Sequence, residues 1–399
     1  MFNQHYSSLL FHHKIMTNKN FNNDFPTVLF VQRRLPHYRV PFFEALRLEL
    51  LSRGCNLRVL HGLPNQEELL KNDSGVLAWA ESLPNHYFLG GKICWQPFHH
   101  QLNGADLVIC SHENKLVFNL LFQYFYTKIK FALLGHGANL QGNANSLREK
   151  FKRRAAKKAD WWFAYTSMSR PLITGFGFPE DRITIINNSI DTHKLTQHIN
   201  AIDDIQSIKK RLGLYGSRTG VFMGSFYHEK RIDFLLDALV LIKKEIEDFE
   251  MIIAGDGVQR HLVEAFCVQY PWAKYVGLMK EEAKAEILAV ADVMLNPGLI
   301  GLSILDSFVG AAPVLTTDCG LHSPEFVYLN HGVNGIVAIN SLPDYVGAVV
   351  DLLRDSNKLT AMKAACVQSS REFSVENMAK NFADGIMNCL HKPVYRKLD

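Results

Sequence analysis

The stretch 291–335, ADVMLNPGLIGLSILDSFVGAAPVLTTDCGLHSPEFVYLNHGVNG, constrains the fold more than any other part of the chain. It predicts a buried strand (292–295), a turn broken at 297–301 by Pro and Gly, a helix carrying Asp306, a second strand (313–316) and a loop leading to another helix at Ser323. Connections this short bring loop backbone and helix N-termini together at one edge of a parallel sheet. Such an edge suits anions and sugars.

Strand-like runs alternate with helical ones twice over. The first set is 28–32, 57–61, 106–110, 131–134, 161–165 and 183–186; the second is 220–223, 250–254, 274–276, 293–295, 313–316 and 335–338. Continuous apolar strands separated by amphipathic helices imply α/β domains whose parallel sheets are covered on both faces. A chain of 399 residues accommodates two of them. The expected division is a loose N-terminal extension (1–24), a first Rossmann-like domain (25–192), a second (193–373) and a C-terminal helix (374–399) packing back on the first. The first join falls after NNSID (187–191), where a polar helical stretch without a strand begins.

The run PGLIGLSILD, followed by GAAPV and HSPEF, resembles the nucleotide-sugar subsite of retaining GT-B glycosyltransferases, in particular family 4 (glycosyl transferases group 1). Their usual pattern is P-S-x-x-E-G-x-G, a helix with a second Glu, G-x-P-V and a Gly-rich loop ending in P-E. This chain is similar to a branch in which Gly298 replaces the first acid and Asp306 the second. Further up the chain, VFMGSFYHEKR resembles the family's G-R-x-x-x-x-K-G, with Ser225 at the Arg position and Arg231 at the Gly position.

The resemblance implies two Rossmann-like domains facing across a cleft, donor in the second and acceptor in the first. Lys230 would stabilise the leaving diphosphate, helped or replaced by Arg231, and Asp306 would hold the ribose. Gly224, Ser225, Gly298, Leu299, Ile300, Gly301, Leu302 and Glu325 would surround the donor, with loop N–H groups substituting for the absent first acid, and Gly277 and Leu278 would lie along the base. Local sequence alone favours reading Lys230 as an exposed early-helix lysine, and only the surrounding resemblance raises the functional reading above it. In the first domain, LPHYR places His37, Tyr38 and Arg39 in the loop after the first strand, on the acceptor side, or else merely capping and packing the next helix. His136, between two glycines that give no packing reason for an imidazole, would hydrogen-bond a hydroxyl of the sugar or acceptor.

The implied activity is retaining transfer from a nucleotide-sugar to a lipid-linked or saccharide acceptor in cell-surface polysaccharide or glycolipid synthesis. No cofactor is expected, since the nucleotide-sugar is a substrate, and with no Asp-x-Asp in the chain neither is a metal. A noncatalytic nucleotide-sugar-binding homologue is the alternative, supported by the missing acid. An NAD-dependent oxidoreductase is disfavoured: Arg260 breaks the fingerprint begun at Gly255 and Gly257, and the first βα turn contains no Gly.

Net charge is only +4, but Arg148, Lys150, Lys152, Arg153, Arg154, Lys157 and Lys158 cluster within one helical stretch. The run 148–158 reads either as a solvated face or as a contact for an anionic membrane surface. It gives little support to nucleic acid as a partner. Seven scattered cysteines without a C-x-x-C pair argue for a reducing compartment, and no apolar run spans a bilayer. The expected location is the cytoplasm or the inner face of the membrane.

Overall fold

A computed structural model describes residues 24–69, 73–113, 115–125, 128–137 and 154–395. The first half contains β1 (Thr27–Gln32), α1 (Val40–Ser52), β2 (Asn56–Gly62), β3 (Glu81–Leu83), β4 (His86–Phe88), β5 (Ile93–Trp95) and β6 (Leu107–Ser111), then α2 (Val117–Phe125), β7 (Lys130–Gly135), β8 (Trp161–Ala164) and β9 (Ile183–Ile185). Seven of these strands form one parallel sheet in the order β3-β2-β1-β6-β7-β8-β9, while β4 and β5 make a separate antiparallel hairpin.

The second half contains β10 (Arg218–Met223), α3 (Ile232–Glu245), β11 (Phe249–Ala254), β12 (Ala273–Gly277), α4 (Glu281–Val290) and β13 (Val293–Leu295), then α5 (Ser303–Val309), β14 (Val314–Thr317), β15 (Gly335–Ala338) and, near the C-terminus, α6 (Val375–His391). Its six strands pair in parallel in the order β12-β11-β10-β13-β14-β15. Strand order reverses between β1 and β6 in one sheet and between β10 and β13 in the other. The crevice at such a reversal is where open α/β sheets bind ligands.

All twelve expected strands are present, with ends shifted by two residues at most. They are legible because both sheet faces are covered, so most of these strands carry a continuous apolar run. Three strands begin after an Ala-Asp pair whose carboxylate accepts an N–H from the neighbouring strand: Asp106 from Thr27 (2.8 Å), Asp160 from Phe131 (2.9 Å) and Asp292 from Thr219 (3.0 Å). These carboxylates satisfy donors at strand ends that would otherwise be left unpaired. The strand β3 and the β4–β5 hairpin were not legible: three half-exposed residues give no usable period. Where a helix was expected at Ser323, the chain makes only a short 3-10 turn, Pro324–Tyr328.

The C-terminal helix α6 belongs to the core of the first sheet. Val375, Met378, Phe382 and Ile386 are buried there, and the Phe382 ring stacks on Phe163 with centroids 4.1 Å apart. Burying a side chain of that size contributes about 1.5–3 kcal/mol. The helix comes so close to the sheet that a β-carbon on Gly385 would lie 2.5 Å from the Thr184 hydroxyl.

The NNSID crossover is also tied to the second half. Asn188 donates to Glu325 (2.6 Å) and accepts through its carbonyl from the Tyr328 hydroxyl (3.0 Å), while Ser189 donates to the Phe373 carbonyl (2.7 Å).

Candidate active site

At the β10/β13 crevice two loops lie backbone against backbone. After Met223 the chain turns at Gly224, whose carbonyl would be 1.8 Å from any β-carbon at Gly255, so only glycine lets these strand ends meet. The chain continues through a 3-10 turn, His228–Lys230, into Arg231 at φ +56°. That left-handed conformation explains why glycine is usual at this position in the motif.

The 297–302 loop lies flat on this turn. The Leu299 N–H donates to the Glu229 carbonyl (2.7 Å), and the Lys230 ammonium donates back to the Leu299 carbonyl (2.6 Å). A β-carbon on Gly298 would stand 2.3 Å from the Glu229 carbonyl oxygen and 2.5 Å from the Lys230 carbonyl carbon. Substitution of the first acid by glycine is therefore a packing requirement of this loop.

Two expectations about the loop are corrected. The N–H groups of Leu299 and Ile300 do not point at open space: Glu229 takes the first, and His322 Nδ1 accepts the second at 3.3 Å. Among the described residues the N–H groups of this loop without a protein acceptor are those of Gly298 and of Gly301, Leu302 and Ser303, the last three where α5 begins. Nor is Lys230 an exposed early-helix lysine. It is 5% exposed, and burial pulls its ammonium down to about 8.

Arg231 is occupied otherwise than expected. Its Nη1 donates to the Thr317 hydroxyl (3.1 Å) and Asn340 Oδ1 (2.6 Å), and it reaches the Pro297 carbonyl at 3.4 Å. It therefore ties the loop to the ends of β14 and β15. Asp306, buried on α5, is paired with Lys284 in the first turns of α4 at 2.5 Å. Gly277 and Leu278 form an open rim, Leu278 being 74% exposed, and Ser225 is exposed. Glu325 is buried and its recorded hydrogen bond runs to Asn188 of the first domain, so it joins the domains where support of the donor loop had been expected.

On the facing edge, His37, Tyr38 and Arg39 occupy a 3-10 turn after β1, with His37 and Tyr38 exposed. The Arg39 guanidinium lies 5.5 Å from the Tyr38 ring centroid and 5.8 Å from that of Tyr165. His136 has a packing partner after all: its ring sits 4.5 Å from the same Tyr165. Tyr38, Arg39, Tyr165 and His136 thus form one row. The segment following Gly137, with Arg148, Lys150, Lys152 and Arg153, lies outside the described residues.

Sequence reasoning missed Lys284, Tyr165, Asn188 and His322 as site residues. Each matters through a tertiary pairing that local spacing does not encode. Only Asn188, inside the NNSID crossover, carried a signal.

Residues 217–355 match the family model for glycosyl transferases group 1. The matched segment lies within the second domain and is similar to group 1 glycosyltransferases. Among curated proteins, an uncharacterized glycosyltransferase of Methanocaldococcus jannaschii is 23% identical over 192 residues (46% of this chain, 48% of the relative). The alpha-monoglucosyldiacylglycerol synthase of Acholeplasma laidlawii is 21% identical over 209 residues (51% and 52%). The match spans about half the length of each relative. Among solved structures, Anabaena HepE in complex with UDP superposes with a TM-score of 0.67 at 14% identity, covering 91% of this chain and 99% of that one. The fold is GT-B, two Rossmann-like domains facing across a cleft.

Proposed function

We propose that the chain transfers a sugar from a nucleotide-sugar donor, bound at the β10/β13 crevice, to a lipid-linked or saccharide acceptor at the facing edge. The observation that carries this reading is Lys230: a buried ammonium whose hydrogen bond goes to a carbonyl, with no carboxylate paired to it among the described residues. Burying a charge without a counter-charge is costly. A diphosphate at the N–H groups of Gly301 to Ser303 would supply the missing charge, and the same contacts would strengthen as negative charge develops on the leaving group. HepE has been solved with UDP and with UDP-glucose, which favours a uridine donor here.

With glycine at 298, no carboxylate stands at the position of the family's first acid. Retention by front-face attack fits this arrangement: the acceptor hydroxyl bonds to the anomeric carbon as the bond to the diphosphate breaks, and the departing phosphate oxygen takes the hydroxyl proton. His136, beside Tyr165 in the facing row, would orient a hydroxyl by hydrogen bonding. Diphosphate charge would be met by Lys230 and the α5 amides without a metal. Domain closure would then exclude water from the donor.

Among the described residues no helix is long and apolar enough to cross a membrane. Contact with an anionic membrane surface would use the basic run 148–158, in which Arg154 and Lys157 are exposed, together with Phe125, 74% exposed on α2.

The test is release of nucleoside diphosphate from UDP- and GDP-sugars with and without EDTA. Release that persists in EDTA is expected. Complete loss restored by Mn²⁺ would overturn the metal-free mechanism, and nucleotide binding without release from any donor would establish the noncatalytic reading.

A further inference from the structure

A small cavity of about 180 Å³ opens at the C-terminal end of β1, lined by Arg33, Arg34, Arg39, Ser111, Glu113 and Tyr165 among others. Its charges are unequally matched. Arg33 is held by Glu68 (2.7 Å) and Glu113 (3.1 Å), and Arg34 by Asp73 (2.6 and 3.0 Å). Lys115 lies 4.0 Å from Glu68 and 3.8 Å from Glu113. Three cations, Arg33, Arg34 and Lys115, therefore share the three carboxylates Glu68, Asp73 and Glu113. Arg39 is different: its guanidinium lies over the Tyr38 and Tyr165 rings and has no side-chain hydrogen bond or ion pair among the described residues.

The two networks differ in what they can do. Arg33 and Arg34 are saturated by their carboxylates, so they set the shape of the cavity and offer little to a ligand. Arg39 is half-buried between two aromatic faces that orient a planar guanidinium and leave its N–H fork unfilled. A fork held this way matches two oxygens of one anion. A neutral hydroxyl would leave the positive charge uncompensated.

We infer that the acceptor is anionic, and that Arg39, braced by Tyr38 and Tyr165, grips a phosphate or carboxylate group on it. This deepens the reading of the first domain as the acceptor side and rests on that reading. Phosphate would come from a lipid-linked carrier or a phosphorylated saccharide, carboxylate from an acidic sugar.

The experiment is calorimetric titration of the full chain, its donor site first filled with saturating UDP, using phenyl phosphate, methyl glucuronide and the neutral methyl glucoside. Failure of UDP itself to bind would count against the donor reading; the three probes are then titrated alone, so the two ideas are scored separately. At least one anionic probe should bind, the neutral glucoside at least 10-fold more weakly. Arg39→Gln should weaken the anion by about 10- to 100-fold. Arg39→Lys should retain part of the phosphate affinity and lose more of the carboxylate affinity, since an ammonium lacks the fork. Phosphate preferred over glucuronide assigns the carrier or phosphosugar source, and the reverse assigns an acidic sugar. If Arg39→Gln fails to fold, the salt dependence of anion binding to the intact chain, compared with Arg39→Lys, decides. Equal binding of glucoside and glucuronide, or an undiminished anion affinity in Arg39→Gln, would overturn the proposal.

Discussion

Lys230 and Arg39, on opposite edges of the cleft, both lack a carboxylate partner among the described residues, yet their surroundings are built in opposite ways. In the second domain Lys230 is sealed under backbone: Gly224 against Gly255, Gly298 against Glu229, and a carbonyl as its hydrogen-bond partner. In the first domain Arg39 is framed by rings, beside arginines saturated through partners 35 to 80 residues away in sequence. A site made of backbone has its geometry fixed before any ligand arrives. One made of long side chains is set by which charges are matched and which are left.

The largest expected effect falls on the backbone-built side. Lys230→Ala should lower turnover by about 100-fold or more, roughly 2.7 kcal/mol of lost electrostatic stabilisation, measured as initial rates on a variant whose melting curve matches the parent. An unchanged rate in a folded variant would erase the contrast and return Lys230 to a structural role.

Asp306 offers a sharper comparison because the structure shows it already engaged. If the carboxylate leaves Lys284 for the ribose, Asp306→Asn should weaken nucleotide binding by about 10-fold or more, while Lys284→Met, which frees the carboxylate, should not weaken it. Equal losses in both would mean that the ion pair only supports α5.

A smaller effect should appear in the pH dependence of nucleotide affinity. Burial lowers Lys230 to about 8, so between pH 8 and the ordinary lysine value of 10.5 the folded chain holds this proton less tightly than the unfolded one. For stability the sign is therefore that burial of the charged form opposes folding below pH 8, an opposition that fades as pH rises toward 10.5. Binding a diphosphate favours the charged form. Affinity should accordingly be flat below pH 7 and fall by about 10-fold by pH 9, with proton uptake on binding. A flat profile to pH 9 in buffers of different ionisation enthalpy would place the diphosphate away from Lys230.

The same contrast explains what could be read from the sequence. Glycines and prolines mark positions where backbone must approach backbone, and these punctuated the 291–335 stretch strongly enough to outline the second-domain crevice. Even there, the direction of individual groups was not legible. Leu299 and Ile300 spend their N–H groups on Glu229 and His322, and Arg231 is absorbed by Thr317 and Asn340. Those pairings depend on how three loops meet. In the first domain Tyr165 read only as the end of an apolar strand, since its role arises from Arg39 and His136 converging on its ring. The β4–β5 hairpin was missed because its strands are too short and exposed to show a period.

The account turns on a nucleotide diphosphate occupying the β10/β13 crevice and meeting Lys230. Thermal unfolding of the intact chain and of Lys230→Ala, each with UDP-, GDP- and ADP-sugars, tests this most directly, because a ligand bound only by the folded state raises its melting temperature. At least one of these donors should raise the melting temperature of the intact chain, and that shift should largely vanish in the variant. No shift with any donor, or an equal shift in both proteins, would contradict it.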